Sequence, residues 1–195
     1  MNSLLRKNFT HTTGEEISDE DFDYFSSFFF TKSVDKKVIL KEEGDCANYV
    51  YFILEGSAYS FYTNDNADRN AIQFALEGYW ITDHYSFFSR EKSVYSIQTL
   101  EPSELLVINR DHYDKLCKSS HLYEHFFRLL IQNAFVALQY RLALTTSEDA
   151  KHRYIAFAEY YPHFIQRIPQ YLIASYLGIK PQSLSRIRQE LARKK

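Results

Sequence analysis

The chain has 195 residues, enough for one large domain or a medium domain with a small one, and its 45% hydrophobic and 25% charged content is ordinary for a globular protein. Five glycines and four prolines exclude a collagen-like or extended low-complexity chain, and no run of about 18 apolar residues is present to span a membrane. The net charge of −2 hides an asymmetry: from Ala150 to Lys195 nine Lys/Arg stand against two acids, a surplus of seven that leaves the remainder at −9, so the C-terminal part is the one suited to meet a polyanion.

Met1 to Thr13 holds no apolar stretch long enough for a signal peptide, so a cytoplasmic location is expected. The sequon Asn8-Phe9-Thr10 then reads as chance, and the widely separated Cys46 and Cys117 read as reduced thiols. Residues 15–30 read as a helix, with Ser18 as N-cap, Asp19, Glu20 and Asp21 in its first turn, and Phe22, Phe25, Phe28 and Phe29 at helical spacing.

The texture then changes to short β-type runs. Lys37 to Lys41, Tyr49 to Leu54, Ser57 to Thr63, Ala71 to Leu76, Val94 to Leu100 and Glu104 to Asn109 are separated by turn residues such as Glu43-Gly44-Asp45, Glu55-Gly56 and Asn64-Asp65-Asn66. This spacing, with 16 Phe and 16 Tyr, predicts an antiparallel sandwich or barrel rather than βαβ units. After Asp111 the pattern is helical. His121 to Thr146 is the longest helix, with Leu122, Phe126, Leu129, Leu130, Val136 and Tyr140 on one stripe at helical spacing and Asn133 within the same stripe. A helix so apolar must bury more than one face. One face can cover the β region and the other wants a partner chain; complete burial within a monomer is the alternative.

A further helix opens at Ser147-Glu148-Asp149 and runs to about Tyr161. Pro169 stands where the next helix starts, Gly178 ends that helix in a left-handed conformation, and Pro181 opens a last one reaching about Arg193. Two short helices around a glycine turn form the helix-turn-helix pattern. Ile173, Ala174 and Leu177 face inward on the first, Leu184, Ile187 and Leu191 on the second. Pro181, Gln182, Ser183, Ser185, Arg186, Arg188 and Gln189 are left outward. Arg and Gln match the donor and acceptor edges of guanine and adenine in a major groove, so base reading is expected of Gln182 and Arg186. Phosphate contacts are expected from Arg193, Lys194 and Lys195. The alternative for this end is an ordinary polar-faced helical hairpin.

Enzymatic signatures are missing: no phosphate-cradling glycine loop, no GxSxG and no HExxH. His84 and His112 lack the paired spacing a cupin-type metal site needs, and two distant cysteines cannot hold an iron–sulfur cluster. The chain therefore reads as a non-enzyme without a cofactor or metal.

The stretch Tyr171 to Ile179 with Ser183-Leu184-Ser185-Arg186 resembles the helix-turn-helix of the catabolite-activator (Crp/Fnr) family, most closely its Bacteroidetes-type branch, where His152-Arg153-Tyr154 and Pro169 also have counterparts. Glu43-Gly44-Asp45 and Tyr51 to Gly56 are similar to that family's cyclic-nucleotide-binding jelly roll. The resemblance implies an α+β chain in three parts. Residues 1–120 would be a double-stranded β-helix sensor, 121–146 a dimerisation helix, and 147–195 a DNA-binding domain, with no wing after the recognition helix. It implies a homodimer on double-stranded DNA, with RNA polymerase as a further candidate partner and no membrane association. The family's nucleotide cassette aligns with Thr82-Asp83 and with Lys92-Ser93-Val94, and Trp80 lies in the same aromatic-rich segment, so Trp80, Thr82, Asp83, Lys92 and Ser93 are the candidate effector pocket. Thr lacks the backbone freedom of the family's Gly, and Lys cannot make the bidentate fork of its Arg, which argues against cyclic AMP and leaves the effector unnamed.

Overall fold

The computed structural model describes residues 2–147 and 149–193. The chain divides into two compact units, Met1–Ser60 with Phe74–Phe135, and Phe61–Gln73 with Val136–Lys195. The class is α+β.

Among the described residues eight strands form two four-stranded sheets, all within the first unit but for the tip of one hairpin. One has the order β1 (Phe30–Val34), β8 (Ser103–Asn109), β3 (Tyr49–Glu55) and β6 (Trp80–Ile81); the other has β2 (Ile39–Lys41), β7 (Ser96–Thr99), β4 (Ala58–Thr63) and β5 (Arg69–Ala75). Side chains alternate along each strand. Tyr51, Ile53, Leu105 and Val107 turn into the roll with Ala58, Ala75, Ile81 and Ile97. Phe52, Leu106 and Ile108 turn the other way, into a layer of helices. Both faces of β3 and β8 are thus covered, which is why these strands read as continuous apolar runs rather than as alternating ones. Gly56 closes the turn after β3 at φ +94°, and a Cβ there would stand 2.6 Å from the Pro102 carbonyl oxygen, so only glycine fits.

The helical layer comprises α1 (Asn2–Thr13), α2 (Asp19–Ser26), α4 (Arg110–Ser119) and the first half of α5 (His121–Ser147). It is cemented by aromatics: Phe9 stacks on Phe126 at 4.6 Å and meets Phe25 edge-on at 5.4 Å. The N-cap expected at Ser18 is present, its Oγ accepting from Asp21 N at 3.1 Å. Two local expectations are corrected. The helix ends at Ser26, and Phe30, read as its last residue, instead begins β1, whose pairing partner β8 supplies the backbone hydrogen bonds (Phe30 opposite Val107). Residues 2–13, read only for the lack of a signal peptide, form α1. Within it, the sequon's Asn8 donates to Gly78 O at 3.0 Å and accepts the Trp80 indole N–H at 2.8 Å.

The second unit contains the remainder of α5, then α6 (Ala150–Tyr160), α7 (Pro162–Arg167), α8 (Gln170–Tyr176) and α9 (Pro181–Ala192). Asp149 caps α6 by accepting from Lys151 N and His152 N, both at 2.9 Å. The tip of the β4–β5 hairpin belongs to this unit and is fastened to it by polar bonds. Ser175 Oγ on α8 accepts from Ala71 N at 3.0 Å and donates to Arg69 O at 3.2 Å. Arg141 donates to Ile72 O at 2.7 Å while lying 4.6 Å over the Tyr176 ring. Among the described residues no helix is long and apolar enough to cross a membrane.

Candidate nucleic-acid interface and effector site

Helices α8 and α9 are joined by Gly178 at φ +64°, the left-handed turn expected there. Pro169 lies one residue outside the expected place: it is the N-cap of α8, in an extended conformation, and Gln170 is the first helical residue. Pro181 does occupy the first turn of α9. The inward residues lie as expected, and Ile179 after the turn joins them. Ile173, Ala174, Leu177, Ile179, Leu184 and Ile187 are buried and Leu191 is half-buried; Leu172, Ile168 and Phe164 extend the same core.

The opposite face of α9 is left to solvent. Pro181, Gln182, Ser185, Arg186, Arg188 and Gln189 are exposed and Ser183 is half-buried; Lys194 and Lys195 lie outside the described residues. Gln182 and Arg186 are four residues apart, hence one above the other on the helix. Arg186 is tethered at 4.0 Å to Glu190, whose other oxygen lies 3.8 Å from Lys151. An exposed pair of this kind is weak and gives way easily to a stronger partner. Between α8 and α9 runs a groove of about 470 Å³, lined by Gln170, Tyr171, Ser185, Arg188 and Gln189 among others.

The expected effector residues are only partly brought together. Asp83 and Ser93 meet in the interior of the roll: Ser93 Oγ donates to Asp83 Oδ2, and Asp83 Oδ1 caps the short helix α3 (His84–Ser89) by accepting from Ser86 N at 3.0 Å. Thr82 lies beside them, its hydroxyl donating to Tyr49 O at 2.9 Å. Lys92 is exposed. Trp80 is not in this group: it packs 4.8 Å from Phe52 in the helix-facing aromatic layer, because β6 alternates and sends Ile81, not Trp80, into the roll. Of the other aromatics in this segment, Phe87 is buried edge-on against Tyr113, whereas Tyr85 and Phe88 are exposed.

The cation at the centre of this site is one the sequence reading passed over. Lys41 comes from β2 and is buried. Its Nζ donates to Ser93 Oγ and to Tyr95 O, and it pairs with Asp83 Oδ2 at 3.4 Å. Burial holds its ammonium below the ordinary lysine range, an effect the Asp83 charge partly opposes. A second cation, Arg110, stacks 4.9 Å over Phe87 and donates to Ala47 O at 2.6 Å and Ser86 O at 3.2 Å, fixing α3 from below. Only a lysine in a β-run, followed by acids in a turn, marked Lys41 in the sequence, and many surface strands share that pattern.

No curated protein matches the chain. Solved structures share its fold at low identity. The catabolite activator protein of Thermus thermophilus is 19% identical, with a TM-score of 0.60 over 94% of this chain and 87% of that one. FixK2 of Bradyrhizobium japonicum is 16% identical, with a TM-score of 0.70 over 85% of each chain. The c-di-GMP-responsive global regulator CLP of Xanthomonas campestris is 13% identical, with a TM-score of 0.67 over 91% of this chain and 93% of its own. The β-roll, the long helix and the C-terminal helices thus match a catabolite-activator-like fold, and residues 31–120 match the cyclic nucleotide-binding domain family.

Proposed function

We propose that the protein is a sequence-specific DNA-binding transcription regulator of the Crp/Fnr type, in which α8 and α9 are the helix-turn-helix and α9 reads the major groove. The observation that carries this reading is the sidedness of α9. Leu184 and Ile187 are buried, while Gln182, Ser185, Arg186 and Arg188 project from the other face with donors suited to base edges and phosphates. The solved structures with this fold, one a catabolite activator protein and another a global regulator, support it. His152-Arg153-Tyr154 and Pro169 favour the Bacteroidetes-type branch. An effector in the β-roll would bias the DNA-reading helices, RNA polymerase would be the downstream partner, the site of action is the cytoplasm, and no chemistry is catalysed.

The protein acts as a homodimer through α5. From Gln132 to Tyr140 every residue of that helix is exposed. Ile131, Phe135, Leu138 and Leu142 follow the four-three-four spacing of a coiled-coil seam, the last three 57%, 49% and 62% exposed. This seam differs in phase from the stripe through Val136 and Tyr140 that the sequence suggested. A two-fold dimer would set two α9 helices on half-sites about 34 Å apart. The test is fluorescence anisotropy of the purified protein on random duplex DNA across a salt series. Binding that falls steeply with salt supports the reading, and no binding at low salt overturns it in favour of a ligand-binding or protein-interaction module with a degenerate DNA-binding end.

A further inference from the structure

The polar centre of the β-roll is closed upon itself. Lys41 Nζ has three hydrogens and three acceptors within the chain: Asp83 Oδ2, Ser93 Oγ and Tyr95 O. Asp83 is equally committed, with Ser86 N on one oxygen and Lys41 and Ser93 on the other. The neighbouring hydroxyls are spent on backbone, Thr82 on Tyr49 O and Tyr51 on Leu40 O at 2.9 Å each. A buried ion pair is tolerable only when such bonds satisfy both members.

We infer that Lys41 is a built-in counter-ion that orders the 82–95 segment without any bound anion and sets the roll against cyclic nucleotides and other anionic ligands. The segment is pinned at three points by one side chain from β2: at Asp83 before α3, and at Ser93 and Tyr95 after it. An entering phosphate would find no ammonium hydrogen free and would face the Asp83 carboxylate, which lies 3.4 Å from that ammonium. It would have to break the pair before it gained anything, and the freed carboxylate would then be buried without its cation. An effector of the roll is therefore uncharged. This inference rests on reading the roll as the regulator's sensor, and its test needs no DNA, so it can fail while DNA binding stands, and the reverse.

The experiment has two arms on the full chain. In calorimetry with cyclic AMP and cyclic GMP, no binding is expected up to about 1 mM, whereas a micromolar Kd for either nucleotide overturns the inference. In hydrogen exchange without ligand, amides of 82–95 are expected to be protected, and Lys41→Met to lower that protection about tenfold or more while β3 and β8 are unchanged. Unchanged protection in Lys41→Met, or an unprotected segment in the wild type, overturns it. Should Lys41→Met fail to fold, the double variant Lys41→Met/Asp83→Asn decides: with both charges removed it is expected to fold, and its failure as well means that Lys41 serves mere packing.

Discussion

Lys41 in the β-roll and half-buried Arg110 at the start of α4 are employed in the opposite way to Arg186 and Arg188 on α9. Lys41 and Arg110 give hydrogen bonds to groups of their own chain, namely Asp83, Ser93 and the carbonyls of Tyr95, Ala47 and Ser86. Arg186 and Arg188 are exposed, and Arg186 makes a loose contact with Glu190. Buried Lys41 has its ammonium hydrogens taken up by the fold and so has little to offer a ligand. A cation on a solvated helix face loses little when it changes partner. The first unit thus uses charge for architecture, and the second presents it for binding.

The comparison can be broken at its foundations first. The first unit rests on its aromatic layer, so Phe25→Ala, at a fully buried position, should cost about 3–5 kcal/mol in urea unfolding. Leu184→Ala in the small core under α9 should cost about 2–5 kcal/mol and also abolish DNA binding. A stable Leu184→Ala variant with full DNA affinity would show that α9 owes its placement to something other than this core.

Next is the seam on α5. Burying Leu138 in a dimer gains about 1.5–3 kcal/mol per side chain, twice over by symmetry, so Leu138→Glu should yield monomers by light scattering at micromolar concentration. A wild-type protein already monomeric there removes the dimer. Arg186→Ala should then lose about 1–3 kcal/mol of discrimination between operator and random duplex, with little change on random DNA. Deleting Arg193, Lys194 and Lys195 should weaken all sequences alike and reduce the salt slope by about one unit per lost contact. If the two variants behave identically, the division between base reader and phosphate binder is wrong.

Smaller effects sharpen the contrast. Ser175→Ala removes the two bonds from α8 to the hairpin tip and should cost about 0.5–1.5 kcal/mol, with exchange at Ala71 rising first. Exposed Cys46 should alkylate readily. Half-buried Cys117, its thiol pushed up to about 11 chiefly by burial, should lag and gain rate only as pH rises toward that value.

The sequence by itself determined what neighbouring residues decide. The long helix, the Ser18 cap and the Gly178 turn rest on local bonds and on side-chain periods of 3.6 and 2. So do the inner stripe of Ile173, Leu177, Leu184 and Ile187 and the six strands beginning with Lys37 to Lys41, all of which show in a short window. Tertiary structure decided what depends on partners far along the chain. Residues 30–34 are a strand because β8 lies beside them. Residues 2–13 are a helix because Leu5 and Phe9 find Phe25 and Phe126. Trp80 left the candidate pocket because the alternation of β6 sent Ile81 inward. Lys41 entered it because a four-carbon stem can carry an ammonium to Asp83, 42 residues away in sequence. No local pattern records which carboxylate a buried lysine will reach, since that depends on where two strands and a helix cap happen to converge.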